Sequence, residues 1–286
     1  MLFREFLMGI NRYKLSNVKL GVSMFFVRFF KSVIIFILFS TLAMAVDIPE
    51  LPKKMSVSRA LYINCLQRTQ TQQLFKEYLL VALKSNYKNP KESLAKSIIA
   101  YQKRLDELDV FFQPLLTDPA IKKMIADAMV IWKESRAMLE VAPTKENALV
   151  LEKNFHKMVK LLGKYKVLSK KSFKAVGLAG GLCRDPLYMA NTYLMKVWGV
   201  DNPNYIKEMK KRIAHFNKNI GEMSAYGGNT DAINKNIEDA KKAFQFFTYM
   251  YDSKSMSIPT LLCKKADSIF VNIRTIKRLY GELVVK

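Results

Sequence analysis

The stretch Leu94-Ala95-Lys96-Ser97-Ile98-Ile99-Ala100-Tyr101-Gln102-Lys103-Arg104-Leu105-Asp106-Glu107-Leu108 sets the fold of this 286-residue chain. Leu94, Ile98, Tyr101, Leu105 and Leu108 step by four and three, which puts one apolar seam on one side of a helix and charge on the other. Moving 115 positions on lands on Met209, Ile213, Phe216, Ile220 and Met223, every one apolar. The next segments repeat the relation. Ile121, Ile125, Ala128, Trp132 and Leu139 map at an offset of 112 onto Ile233, Ile237, Ala240, Phe244 and Tyr251, and only Ser135 opposite Phe247 departs. Leu151, Phe155, Met158, Leu162 and Tyr165 map at 111 onto Leu262, Ala266, Ile269, Ile273 and Ile276. Three matched seams in the same order point to a duplicated unit. The spacing is that of helices packed about 20° from antiparallel. The expectation is an all-α protein of two tandem antiparallel four-helix bundles, residues 54–175 and 176–286.

Proline marks the helix starts, because it is tolerated in a first turn and disfavoured within. Pro90, Pro119, Pro143, Pro203 and Pro259 each stand before or at the start of a periodic stretch. The predicted helices are 54–84, 90–113, 119–141, 145–175, 185–199, 203–224, 230–252 and 258–284. Asp185-Pro186 reads as an N-cap followed by proline, and glycines 177, 180 and 181 read as a break or bend in the connection between bundles.

Ahead of the helices, Arg28 and Lys31, the apolar run Val33 to Leu42 and Ala43-Met44-Ala45 have the three parts of a secretion signal. The expected organisation is therefore a signal peptide over 1–45 and a linker over 46–53, with Met24 as an alternative start. An uncleaved anchor is the rival, but Ser32 to Val46 is short of the ~20 residues that span a bilayer. Export implies a bacterial periplasm or the exterior, with no transmembrane helix once the signal is removed. Beyond residue 45 the chain has 41 Lys and Arg against 23 Asp and Glu, a net of +18. Such a field gathers anions. Sequence-specific nucleic-acid binding is not expected, since no finger, homeodomain or aromatic-basic motif is present.

Composition argues against an enzyme. Three cysteines, two histidines 59 positions apart and few glycines supply no metal cluster, phosphate loop, haem attachment or nucleophile-base signature, so no cofactor is expected. The unusual chemistry lies in the first helix, where Gln67-Arg68-Thr69-Gln70-Thr71-Gln72-Gln73 is polar on every face for nearly two turns. If that helix packs like its neighbours, at least one core layer is polar and must be hydrogen-bonded. Arg68, Gln72 and Lys76, spaced by four, place a guanidinium, an amide and an ammonium along one side. That set suits an oxyanion, while a structural polar layer is the alternative.

The segment Asn64 to Leu80 resembles the opening helix of the PilJ-type domain, the amino-terminal domain of type IV pilus methyl-accepting chemotaxis transducers, which is itself similar to the ligand helix of nitrate/nitrite sensor kinases. Arg68, Gln72, Lys76 and Tyr78 match the family spacing in the first copy. The second copy matches through Ala179-Gly180, Met189, Ala190, Tyr193, Leu194, Lys196, Trp198 and Gly199. Cys65 stands where the family has glycine, and Cys183 stands where it has arginine, with Arg184 one residue out of register. The resemblance implies an extracytoplasmic sensory ligand-binding module with Arg68 contributing to anion binding. It also implies signalling through a separate protein partner, a membrane receptor or pilus-associated component. A basic interaction scaffold on pili, envelope polymer or a receptor is the second expectation.

Overall fold

The computed structural model describes residues 57–113, 118–164, 174–201, 203–252 and 259–285. All lie in one compact unit, Lys53–Lys286; the expected signal over 1–45 and linker over 46–53 fall outside the described residues. Among the described residues the structure is all-helical, with no strand. The helices there are α1 (Val57–Ala82), α2 (Pro90–Phe112), α3 (Pro119–Leu139), α4 (Lys145–Gly163), α5 (Lys174–Leu182), α6 (Asp185–Val197), α7 (Tyr205–Ser224), α8 (Asp231–Asp252) and α9 (Pro259–Val285).

Local chemistry starts these helices where the prolines and caps place them. Pro90, Pro119 and Pro186 occupy first turns. Asp118 Oδ1 accepts from the Ala120 amide at 2.8 Å, and Thr144 Oγ1 accepts from that of Asn147 at 3.1 Å. Each satisfies an amide that the helix itself leaves unpaired. Two expectations need correction. The helix expected over 145–175 ends at Gly163, and the glycines expected to break the chain lie inside α5. Asp185 is not a cap: Arg184 holds that position, without a side-chain capping bond, and the Asp185 carboxylate is buried in the first turn of α6.

The seams face inward. All five residues of the Leu94–Leu108 stripe are buried, and its counterpart in α7 is buried except for Ile213, which is half-buried. α1 packs on α2 and α4, α3 packs on α4, and α2 touches α3. In the rest of the chain α8 packs on α9, α9 on both α5 and α6, and α7 on α5, α6 and α8. One apolar core gathers Leu74, Phe75, Tyr101, Trp132, Phe155 and Met158; a second gathers Phe216, Phe244, Phe247, Ile269 and Ile273. Burying each such side chain contributes roughly 1.5–3 kcal/mol, which outweighs the small differences in helix propensity.

The two cores are stitched together. α1 lies against α6, and Leu194, Met195, Val200 and Cys263 enter the core built mainly by α1–α4. At the α1–α2 turn Lys84, Lys88 and Asn89 all have positive φ. These left-handed non-glycine residues are held where Tyr87 Oη and Lys88 Nζ donate to Asp267 Oδ2 of α9, at 2.9 and 2.7 Å.

Candidate functional site

The polar run of α1 becomes a bonded layer through much of its length. Gln67 Nε2 donates to the Tyr101 carbonyl at 2.9 Å, and its Oε1 accepts from Arg104 Nε at 2.9 Å. Thr71 Oγ1 lies 3.2 Å from Tyr101 Oη and donates to the Gln67 carbonyl at 2.7 Å. Asn64 Nδ2 donates to the Leu162 carbonyl at 3.0 Å, tying α1 to α4. Buried amides and hydroxyls of this kind need such partners, and most of these groups find them, although Asn64 Oδ1 is buried without one among the described residues.

The three candidate residues share a helix side but have different surroundings. Gln72 is buried against α6, where Asn191 Nδ2 donates both to its backbone carbonyl at 2.9 Å and to its Oε1 at 3.1 Å. Lys76 is only 1% exposed, and its ammonium is paired with the Asp267 carboxylate. The ammoniums of Lys76 and Lys88 hold the Asp267 carboxyl below its usual range, although burial alone would raise it. Both groups are thus engaged within the protein.

Arg68 differs. Its guanidinium is half-buried along the last turn of α4, where a side chain on Gly163 would come within 3.0 Å of Nη2. Its buried Nε has no acceptor among the described residues. Burial, followed by repulsion from Arg184, pulls its pKa down to about 10. Arg184 sits at the α5–α6 junction, with Nη1 donating to the Gly180 carbonyl at 2.9 Å. Close approach of the two segments relies on Gly180, where a Cβ would lie 2.8 Å from Cys65 Sγ. The duplication offset placed Cys183 opposite Arg68. The end of α5 brings the next residue, Arg184, to that neighbourhood instead, and the one-residue slip seen in the sequence was the available signal.

A second polar group secures the α5–α6 junction. Asp185 accepts from His215 Nδ1 at 2.6 Å and from Arg212 Nη1 at 3.4 Å, both on α7. The Arg212 guanidinium also stacks over the Tyr188 ring at 4.1 Å. A shallow cleft beside it is lined by Gln72, Glu152, His156, Tyr188, Asn191 and Thr192. Another, on the Lys76–Asp267 side, is lined by Gln73, Glu77, Tyr87 and Lys88. Among the described residues no group of three or more His, Cys, Asp or Glu side chains converges as a metal site, and no helix is long and apolar enough to cross a membrane. No family model, curated protein or solved structure matches this chain.

Proposed function

We propose that this chain is an exported, non-catalytic sensory protein of the PilJ type, made of two tandem four-helix bundles, which recognises a small oxyanion beside Arg68 and passes the bound state to a separate protein partner. The duplicated plan is supported by the two rings of helix contacts, in which α5 and α6 together take the place that α1 holds in the first set. It is also supported by the clefts. At offsets of 115 and 111, Gln73, Lys76, Glu77 and Asp267 of one cleft correspond to Tyr188, Asn191, Thr192 and His156 of the other.

The observation that carries the anion reading is the buried, acceptor-less Arg68 Nε beside a second guanidinium. A desolvated cation facing a like charge raises the energy of the empty protein, and an oxyanion between them would relieve desolvation and repulsion together. Arginine suits that role because its planar fork offers paired donors to a planar oxyanion. Gln72 lies one turn further on and Lys76 two, the latter with its charge already met by Asp267. Calorimetry against nitrate, nitrite, sulfate and phosphate tests the proposal. Binding that persists unchanged in Arg68→Ala removes this residue from the site.

The scaffold reading draws on a different observation, the internal pairing of Gln72 and Lys76, which suits a structural layer. Salt-sensitive retention of an envelope macromolecule, with no thermal shift from any small anion, favours it over the sensor.

A further inference from the structure

We propose that α4 and α7 together form a lysine face that docks on the anionic phospholipid surface of a bilayer. The two helices are far apart in sequence but converge on one residue of α6. From α4, the His156 ring meets Tyr188 edge-on at 5.2 Å; from α7, Arg212 stacks on the same ring. Burial, then Arg212, Lys160 and Lys211, hold His156 below its ordinary pKa against the opposing carboxylate of Glu208 on α7. The outer sides of both helices therefore contribute to one local field.

α4 has four lysines against two glutamates and α7 has four lysines and an arginine against two glutamates, so the pair carries a net of +5, as do α3 and α9 together, against −1 for α2 and α8. Lys153, Lys157 and Lys160 on α4 and Lys207, Lys210 and Lys211 on α7 are all exposed. Among the described residues, Lys211 alone of these six has an ion-pair contact, a 4.0 Å approach to Glu208. Within the same outer rows are two aliphatic side chains, Leu149 four residues before Lys153 and Ile206 four before Lys210, at 43% and 64% exposure. Water rewards the lysines but not the aliphatics. A bilayer interface accommodates both, with ammoniums at the phosphates and aliphatic groups at the acyl boundary. A polyanion such as DNA would use the lysines and leave Leu149 and Ile206 without a role.

The test uses the full chain with vesicles of phosphatidylcholine alone and with about one-third phosphatidylglycerol, at low and high salt. Lysine acetylation read by mass spectrometry should show protection of Lys153, Lys157, Lys160, Lys207, Lys210 and Lys211 by the anionic vesicles, lost at high salt. Lys91, Lys235 and Lys242, on α2 and α8, should stay equally reactive. Changing Lys153, Lys157 and Lys210 together to Glu should weaken binding to the anionic vesicles at least about tenfold, whereas the same change at Lys91, Lys235 and Lys242 should have a much smaller effect. These positions are exposed, so both variants should keep the parent circular dichroism. The proposal is overturned by equal protection on all helices, by equal losses in the two variants, or by no preference for anionic over neutral vesicles. Binding to duplex DNA with no vesicle binding also overturns it.

Discussion

Substituting Asp267 with Asn isolates one buried ionic arrangement, the pair it makes with Lys76. Lys76 is 1% exposed, and the carboxylate it meets belongs to a helix 191 positions away. Asp267→Asn would leave the ammonium desolvated beside a neutral amide, and breaking a buried pair from one side costs about 3–5 kcal/mol. In a unit of this size that corresponds to a melting-temperature drop of about 6–20 °C. Lys88 offers the internal comparison, since it reaches the same carboxylate from a side chain that is 63% exposed. Lys88→Met should therefore cost no more than about 1 kcal/mol. Lys76→Met combined with Asp267→Asn should recover part of the loss, because the buried charge that needed a partner is gone. Urea unfolding of the four proteins measures all of this, and pH supplies a second axis. A carboxyl held below its ordinary value contributes stability that is complete above the unfolded value of about 3.9 and is lost as pH falls through the folded one. The gap between parent and Asp267→Asn should thus narrow in acid. A gap below about 1 kcal/mol at neutral pH, or one that widens in acid, would refute the reasoning.

Arg68→Met should leave stability at neutral pH unchanged or raised, because it removes a desolvated cation, and should abolish any stabilisation by oxyanions; Arg184→Glu should stabilise the ligand-free chain while blunting the same response, both read by thermal shift. Gly180→Ala should destabilise by about 1–3 kcal/mol in chemical unfolding, through the contact with Cys65 Sγ, and Cys65→Ala should restore most of that loss. Burial pushes the Cys183 and Cys263 thiols up to about 12, so a maleimide at neutral pH should label these two only after unfolding, as peptide mass spectrometry will show.

The apolar seams were legible because burial imposes a period on sequence: Leu94 to Leu108 and Leu262 to Ile276 are core residues at the positions that spacing required. The polar layer was legible for the same reason, since a helix that is polar all round for two turns has to place some of that polarity inside. Its partners were not legible. Asn191 and Asp267 lie 119 and 191 positions from Gln72 and Lys76, and no local pattern marks which distant side chain will answer a buried one. The α5 helix was misread because glycine counts against helix in isolation. Here contact with α7 and α9 outweighs that penalty, and at Gly180 the missing side chain is what admits Cys65. Asp185 was misread because an N-cap motif describes only the backbone next to it, while the carboxylate answers His215 and Arg212 on another helix.

Lys76 and Arg68 are cations two turns apart on one helix, both withdrawn from water, and the protein treats them in opposite ways. At Lys76 it supplies a carboxylate from α9 and strengthens that carboxylate with Tyr87 and Lys88. At Arg68, among the described residues, no carboxylate pairs with the guanidinium and Nε has no acceptor, while Arg184 repels it. A neutral side chain at position 184 would remove the repulsion, though it would also lose the bond that Arg184 gives to the Gly180 carbonyl. The contrast makes Lys76 an internal reference for the anion proposal: whatever oxyanion binds beside Arg68 should do for that end of the helix what Asp267 already does for the other. Binding and stabilisation would then rise together, and the energy available for a signal is bounded by the desolvation and repulsion that the empty site retains.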